Sequence, residues 1–186
     1  WDDGKKKEFI KRADFEIDRL SNYLETMRNF TSAREPEKKS HYLSKVIERA
    51  IFQNSAMLES KRISIESHID ENISVWIDED IFYQVLLNLL LNSFDILPRE
   101  GKIRIEVEGV NDFMVKLVYK NNGPAIPFDI RKKILMPFFS TKKKGQGIGL
   151  ALSLKQMIRM GGSLKVEDSD GEWGARFVLY LPVSKS

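Results

Sequence analysis

The chain has 186 residues, of which 42% are hydrophobic and 31% charged, and its formal net charge is +3. This composition is that of a globular protein long enough for one ordinary domain and an additional segment. Because there is no cysteine, disulfides and thiolate metal sites are excluded, and a reducing, cytoplasmic setting is expected.

Two classes of partner are also not expected. The longest apolar run, Val85–Leu91, is interrupted by Asn88 and is too short to cross a bilayer, so we expect no membrane contact by this segment. The lysines are interleaved with acidic residues and form no aromatic and basic platform, so we expect no nucleic-acid binding.

The two histidines, His41 and His68, lie far apart in the sequence and have no metal-ligand partners near them.

The first predicted element is a long helix from Phe9 to Phe30, which contains no glycine or proline. Its apolar residues occupy the a and d positions of a heptad: Ile10, Ala13, Ile17, Leu20, Leu24 and Met27. A helix of this length would reach about 33 Å, so its seam is expected to meet other helices in a bundle. The alternative is an amphipathic helix folded back on its own domain.

A charged stretch with Pro36 follows this helix and predicts a linker. We therefore divide the chain into a helical segment (residues 1–33), a linker (residues 34–40) and a domain (residues 41–186). Within the domain, periodicity and turn residues predict helices at Ser44–Lys61, Asp80–Leu97, Phe128–Met136 and Gly149–Met160, and strands at Ile63–Ile69, Ser74–Ile77, Lys102–Val110, Phe113–Lys120, Ser163–Asp168 and Ala175–Leu181. The predicted fold class is α+β, a two-layer sandwich with a mixed sheet and helices on one face, preceded by one long bundle helix.

The stretch Pro137–Leu150 reads PFFSTKKKGQGIGL, and we call it the glycine-rich loop. Its glycines, Gly145, Gly147 and Gly149, leave the backbone free to adopt positive φ and to turn several amide groups toward one ligand. The helix that starts at its end adds unpaired amides and a positive dipole, and the preceding lysines add charge, so the loop suits a polyphosphate. The spacing is neither that of the P-loop nor GxGxxG. A glycine-rich surface loop without a ligand is the alternative.

A polar stripe interrupts the otherwise apolar helix Asp80–Leu97. Its members recur every three or four residues: Gln84, Asn88, Asn92 and Asp95. Asparagine is a poor helix former and is costly to bury without partners, so two of them in this helix point to a ligand. An amide oxygen can complete a Mg²⁺ shell that is otherwise made of phosphate and water oxygens. The alternative is that the stripe is the solvated face of a half-buried helix.

A rigid turn, Asn121–Pro127, follows the predicted strand Phe113–Lys120. Gly123 is expected to supply a residue with positive φ, and the prolines Pro124 and Pro127 stiffen the turn. An amide at a strand end can read the edge of a heterocycle because it both donates and accepts hydrogen bonds. A plain turn is the alternative reading.

The ordered motifs NLLLNS (Asn88–Ser93), NNGPAIP, PFFSTK, GQGIGL, GG and GARF resemble the ATP-binding catalytic domain of bacterial sensor histidine kinases, which has the GHKL (Bergerat) ATPase fold. The resemblance covers about Ser40 to Pro182, and the short loop after FFSTK is most similar to the nitrogen-regulator type. It implies that Asn92 ligates Mg²⁺, that Asn88 and Lys142 assist at the phosphates, and that Asn121 faces adenine. The other implied nucleotide-binding residues are Gly123, Ala125, Ile126, Thr141, Gly145, Gly147, Ile148, Gly149 and Leu150.

This resemblance implies a protein histidine kinase that uses ATP and Mg²⁺ to phosphorylate a histidine. The histidine box of the family is not found around His41 or His68, and the helix Phe9–Phe30 looks like the second helix of the family's dimerisation hairpin. The implied partners are therefore a histidine-bearing helix of the same or a partner kinase, a response regulator, and a second copy of the chain that pairs through the N-terminal helix. The parent protein could be membrane-anchored.

Three positions depart from the family pattern. The first glycine box usually reads DxGxG, but here its positions are Asn121, Gly123 and Ala125, and Ala175 stands where a hydroxyl is usual. A neutral acceptor at residue 121 predicts nucleotide binding weaker by about 1 kcal/mol. The alternatives are a degenerate, nucleotide-sensing pseudokinase that docks a partner, and another GHKL ATPase. The second would need a hydrolytic acid where Asn88 stands.

Overall fold

A computed structural model describes residues 35–142 and 147–184. The predicted helix Phe9–Phe30 and the loop residues Lys143, Lys144 and Gly145 therefore lie outside the described residues. The chain divides into two units, Trp1–Arg34 and Glu35–Ser186, and the described residues belong to the second.

The described chain forms a five-stranded sheet, a two-stranded ribbon and four α-helices. The strands are β1 (Lys39–Tyr42), β2 (Ser64–His68), β3 (Ser74–Ile77), β4 (Lys102–Val110), β5 (Met114–Asn121), β6 (Ser163–Glu167) and β7 (Ala175–Pro182). The helices are α1 (Leu43–Gln53), α2 (Ser55–Ser60), α3 (Glu79–Ile96) and α4 (Gly149–Arg159). Two single-turn 3₁₀ helices, Phe128–Ile130 and Lys133–Leu135, occupy the segment predicted as one short helix.

The large sheet has the order β2-β4-β5-β7-β6, with β2 parallel to β4 and the other neighbours antiparallel. β1 and β3 pair antiparallel in the separate ribbon. The prediction of a mixed sheet in an α+β fold is therefore confirmed.

The core lies between the sheet and the helices on one of its faces. The largest of its fully buried side chains include Phe82 and Leu86 of α3, Leu43 of α1, and Ile103, Leu117 and Tyr119 of the central strands. Burying one such side chain contributes about 1.5 to 3 kcal/mol. The outer face instead carries a network of ion pairs among Glu106, Glu108, Lys116, Lys120, Glu167, Asp170 and Arg176. The sandwich thus has one apolar layer and one charged outer surface, as the two-layer prediction requires.

Helix α3 carries most of the predicted site and starts where the sequence predicts. Asp78 is its N-cap residue, and the Oδ1 of Asp78 accepts a hydrogen bond from the amide of Ile81 at 3.2 Å. Glu79 and Asp80 add negative charge in the first turn, which the helix dipole favours.

Two local features differ from the sequence prediction. The predicted helix Ser44–Lys61 is broken at Asn54, whose Nδ2 donates to the Ala50 carbonyl at 2.8 Å, so that its side chain interacts with the preceding helical turn. Strand β1 was not predicted because its residues are exposed or half-buried and lack an alternating apolar pattern. β1 begins at Lys39, within the segment for which the sequence predicts a linker.

Candidate functional site

The polar stripe of α3 faces other parts of the protein and is not simply a solvated surface. Gln84 Oε1 accepts a hydrogen bond from Gln156 Nε2 of α4 at 3.1 Å. One turn later, Asn88 Nδ2 donates to the Gly149 carbonyl at 3.2 Å and to Ser153 Oγ at 3.1 Å. We call these contacts the polar seam between α3 and α4. The seam contradicts the alternative of a solvated helix face, because the amides of Gln84 and Asn88 both bind groups of α4.

The next turn of α3 binds a cationic side chain from the glycine-rich loop. Lys142 Nζ donates to Asn92 Oδ1 at 3.1 Å and to Asp95 Oδ2 at 2.8 Å. The Lys142 backbone amide donates to Ser140 Oγ at 3.1 Å, which shapes the loop just before the lysine. The predicted metal ligand and the predicted catalytic lysine are therefore in direct contact.

The glycine-rich loop returns to the domain beside its own beginning. The Phe138 amide donates to the Gly147 carbonyl at 2.9 Å. Gly147 has φ +68°, and an added Cβ would lie 2.5 Å from the Phe139 carbonyl oxygen, so only glycine fits there. Phe138 itself has φ 66°, an unusual conformation for a bulky residue.

Helix α4 starts at Gly149, directly after the buried residue Ile148. Among the described residues no side chain caps this helix start, so its first amides are available to an anion. Because Asn88 holds the Gly149 carbonyl, these amides lie beside the polar seam. Leu150, by contrast, is packed against the hydrophobic core.

Asn121 lies at the end of β5 with 1% of its surface exposed. Its Nδ2 donates to Ser93 Oγ at 2.9 Å, and its Oδ1 accepts from the Gly123 amide at 3.0 Å. The Tyr119 hydroxyl lies 2.8 Å from the same Ser93 Oγ. Burial raises the pKa of Tyr119 far above its usual value, although the hydrogen bond with Ser93 opposes this effect, and the phenol is therefore a neutral hydrogen-bonding group.

The expectation that Gly123 adopts positive φ is wrong, because its backbone is outside that region. Glycine is needed there for space: an added Cβ would lie 2.9 Å from Asn121 Oδ1 and 3.3 Å from Ile96 Cδ1. A second close approach supports the same turn, since a Cβ on Gly174 would lie 1.8 Å from the Gly123 carbonyl oxygen. The turn after β5 is thus packed directly against the start of β7.

The remaining predicted residues contribute less to these contacts. Ala125 and Thr141 are exposed, and Ile126 is half-buried, with its carbonyl accepting from Arg131 Nε at 3.0 Å. The structure does not bring Ala125 or Thr141 into the polar seam.

The C-terminal end of α3 is held from outside the predicted site. Lys61 Nζ donates to the carbonyls of Phe94 and Leu97, the latter at 3.3 Å, and lies 4.5 Å from the centre of the Phe94 ring. Cations stabilise a helix C-terminus, so Lys61 fixes the turn that carries Asn92 and Asp95.

Four functional positions were not singled out as site residues from the sequence: Ser93, Asp95, Ser153 and Gly174. Asp95 belongs to the predicted stripe, and Ser93 directly follows Asn92, so both had a weak signal. The signal for Gly174 was its place in the GARF motif. Ser153 had no signal, because its contact with Asn88 joins two helices that are distant in the sequence.

A cleft of about 700 Å³ lies elsewhere, between the first 3₁₀ helix and the turn that joins β6 to β7. Its arginines are already paired, Arg131 with Asp168, and Arg176 with Glu167 and Asp170. The cleft is separate from the polar seam, and we assign no ligand to it.

Comparison with known proteins identifies the family. The sequence profile described as "Histidine kinase-, DNA gyrase B-, and HSP90-like ATPase" matches residues 77–185, which include α3, the glycine-rich loop and α4. The chain belongs to this family. In the part of the chain that the structure describes, no helix has both the length and the apolar character needed to cross a membrane.

Curated relatives in this ATPase family include sensor kinases. The chain is 30% identical over 179 residues to the signal transduction histidine-protein kinase AtoS of Escherichia coli K12, and 31% identical over 170 residues to the sensor histidine kinase ZraS of Klebsiella oxytoca. These alignments cover 96% and 91% of this chain. The chain spans only 29% and 37% of the length of these two relatives.

Solved structures of the family share the fold. The catalytic domain of histidine kinase ThkA superposes with a TM-score of 0.71 and 27% identity, over 78% of this chain and 95% of that domain. ThkA in complex with the response regulator protein TrrA gives a TM-score of 0.80 and 26% identity, over 99% of this chain and 53% of that one. The resemblance to a sensor histidine kinase catalytic domain is therefore confirmed.

Proposed function

We propose that this chain provides the ATP-binding catalytic part of a two-component sensor histidine kinase of the nitrogen-regulator type. The reaction is transfer of the γ-phosphoryl group of ATP to a histidine that another segment or subunit supplies. The observation that carries the proposal is the cluster in which Asn92, Asp95 and Lys142 meet, one turn along α3 from the amide of Asn88 that fixes the start of α4.

The residues present fit a magnesium ion. Among the described residues no three histidine, aspartate or glutamate side chains form a cluster that would hold a metal by themselves. The proposed mode needs only one protein amide oxygen, that of Asn92, because phosphate and water supply the other ligands. The hydrogen bond from the Lys142 ammonium to Asn92 Oδ1 supports this role, because it places a positive charge against this oxygen. Magnesium, when bound, neutralises the charge of the phosphates.

The phosphates are held by groups on both sides of the polar seam. The free amides at the start of α4 and the backbone of Gly147 donate to phosphate oxygens, and Lys142 adds a mobile positive charge. Asn88 acts indirectly on the phosphates. It donates a hydrogen bond to the Gly149 carbonyl and so fixes the start of α4. The protein supplies no nucleophile, so its contribution is positioning and charge neutralisation.

The base is placed at the other end of the site, at Asn121 and the turn Asn121–Pro127. Asn121 Oδ1 has a second lone pair besides the one used by Gly123, and it accepts a hydrogen bond from the adenine amino group. Because Asn121 is 1% exposed, the base reaches it only when the turn or the neighbouring Ile96 side chain moves. The need for this movement and the neutral hydrogen-bond acceptor at Asn121 both predict that the nucleotide binds weakly.

The proposed phosphoryl transfer also implies protein partners. The N-terminal segment, residues 1–33, acts as the second helix of a dimerisation hairpin, and a linker that ends before β1 begins at Lys39 joins it to the catalytic domain. The phosphorylated histidine passes its phosphoryl group to a response regulator, and the reaction takes place in the cytoplasm.

Calorimetry with ADP and Mg²⁺ tests nucleotide binding, and transfer of the γ-phosphoryl group of ATP to a separately supplied histidine-bearing helix of the parent kinase tests catalysis. We expect binding and transfer with the wild-type chain. We expect no Mg²⁺-dependent binding with Asn92→Ala, whose circular dichroism spectrum should be unchanged. Absence of heat at millimolar nucleotide would contradict the proposal.

The two alternatives give different results in the same experiments. Nucleotide binding without transfer would favour a pseudokinase that senses nucleotide and docks a partner. Sustained hydrolysis of ATP would favour another ATPase of the family, although the amide of Asn88 cannot act as the base for such a reaction.

A further inference from the structure

The glycine-rich loop places its own cation in the proposed magnesium site. Lys142 Nζ lies 3.1 Å from Asn92 Oδ1 and 2.8 Å from Asp95 Oδ2. Asn92 and Asp95 are three residues apart on α3, and this spacing puts both side chains on the same face of the helix. Together they form a small oxygen-lined position, one oxygen neutral and one charged, with an ammonium group between them.

We propose that Asp95 is a further residue of the cation site, and that Lys142 is an internal cation which occupies the site until magnesium replaces it. This inference rests on the proposed function, because it assumes that Asn92 is the metal ligand. It adds a residue and an exchange step that the magnesium assignment alone does not contain.

The two cations compete for Asn92. Magnesium binds oxygen at about 2.0 to 2.1 Å in a nearly octahedral shell, whereas the ammonium lies 3.1 Å from the same oxygen. A metal ion and an ammonium group on one amide oxygen would repel each other at short range. Magnesium binding is therefore expected to displace Lys142 from Asn92.

The lysine is held firmly enough to occupy the site and loosely enough to leave it. Its side chain is 33% exposed and that of Asp95 is 57% exposed, so water and salt weaken the ion pair. An exposed pair of this kind is expected to change the affinity of a competing cation by roughly two- to five-fold. The hydrogen bond from the Lys142 amide to Ser140 Oγ is local to the loop, so it does not tie the lysine to α3.

The exchange links metal loading to the phosphates. If magnesium took Asn92 Oδ1, the Lys142 ammonium would be free to bind a phosphate oxygen, one turn of α3 from the residue Asn88 that contacts the start of α4. The Asp95 carboxylate stays next to the metal and attracts it, either directly or through a metal-bound water. Until this exchange, the Lys142 ammonium offsets the charge of the Asp95 carboxylate.

Manganese binding, followed by electron paramagnetic resonance, tests this exchange without relying on activity. The probe is Mn²⁺ added to the 186-residue chain at low ionic strength, with and without ADP. Lys142→Met should bind Mn²⁺ roughly two- to five-fold more tightly than the wild type in the absence of nucleotide. Lys132→Met is the matched control, because it removes the same charge from an exposed position outside the site, and it should bind Mn²⁺ like the wild type.

Two double variants locate the effect. In Lys142→Met with Asn92→Ala, the gain in Mn²⁺ affinity should disappear, and in Lys142→Met with Asp95→Asn it should be reduced. An unchanged affinity in Lys142→Met, or the same gain in Lys132→Met, would overturn the internal cation. If Asp95→Asn has no effect in the Lys142→Met background, Asp95 is not part of the cation site. If the wild type does not bind Mn²⁺ with ADP at all, it is the proposed function that fails.

Discussion

The hydroxyl of Ser93 in α3 accepts a hydrogen bond from Nδ2 of Asn121 at the end of β5, over 2.9 Å. The two residues are 28 positions apart, and both are buried. This bond ties the residue next to the proposed metal ligand to the residue proposed to read the base. It also explains how asparagine is accommodated at position 121. The buried Nδ2 group needs a hydrogen-bond acceptor, which an aspartate there would not need, and Ser93 Oγ provides it.

Ser93→Ala should lower the free energy of unfolding by about 1 to 3 kcal/mol, because it leaves the buried Nδ2 of Asn121 without its acceptor. Urea unfolding followed by circular dichroism measures this change. Ser44→Ala is a matched control, since the Ser44 hydroxyl is also buried but has no hydrogen-bond partner among the described residues. We expect Ser44→Ala to be nearly neutral. Equal losses in the two variants would mean that the Ser93 bond adds nothing.

Asn121→Asp should tighten ADP binding by about 1 kcal/mol, or several-fold, because a charged acceptor forms a stronger hydrogen bond with the adenine amino group. The substitution is compatible with its surroundings, since the Gly123 amide already donates to this side chain and the Ser93 hydroxyl can rotate to donate as well. Calorimetry with ADP and Mg²⁺ near neutral pH measures the affinity. Unchanged or weaker binding would indicate that residue 121 does not contact the base.

Gly174→Ala should destabilise the domain by about 1 to 3 kcal/mol or more, because the new methyl group would overlap the Gly123 carbonyl oxygen. Relief of this clash must move the turn after β5, so nucleotide binding should weaken as well. Gly109→Ala in β4 is the control, because its Cβ would have no atom within 4 Å. Thermal unfolding of both variants makes the comparison, and a Gly174→Ala protein as stable as Gly109→Ala would contradict the close packing.

The ion pairs on the outer face of the sheet predict a loss of stability in acid. Burial alone would raise the pKa of Glu108, but hydrogen bonds from Arg176 and Lys116 outweigh burial and lower it below its ordinary value of 4.5. A carboxyl group whose pKa is lowered by folding stabilises the folded protein above its unfolded pKa, and this stability is lost as the pH falls through the folded pKa. Each unit of lowering corresponds to about 1.4 kcal/mol.

The wild type should therefore lose stability as the pH falls from about 5 to about 3, and Glu108→Gln should lose less over the same interval. Urea unfolding at several pH values measures the slope. Glu59→Gln, on the exposed side of α2, removes the same charge outside the network and should follow the wild type. A Glu108→Gln slope that matches the wild type would show that this carboxyl is not responsible.

The features that could be predicted from the sequence are those with a local cause. Helix α3 follows from its capping acid Asp78 and its apolar periodicity, and the β4–β5 hairpin follows from alternation on both sides of Asn111. The turn at Asn111 is closed by its side chain, which accepts from the amides of Phe113 and Met114. Short-range chemistry of this kind is visible in one stretch of residues.

The features that could not be predicted depend on contacts between distant residues. Nothing near Gly174 in the sequence indicates that Gly123 will pack against its Cα, and the partner of Asn121 is set by the packing of α3 on β5. The expected positive φ at Gly123 was wrong for the same reason, because the need for glycine there is steric and comes from Asn121 and Ile96.

The hydrogen bond between the Phe138 amide and the Gly147 carbonyl closes the chain on itself with backbone groups alone. This contact needs glycine at residue 147, but it does not depend on the number of residues between its two ends. The entropic free-energy cost of loop closure rises only with the logarithm of the loop length, by about 0.6 kcal/mol for each doubling. Insertions between Ser140 and Gly147 should therefore cost the fold little stability.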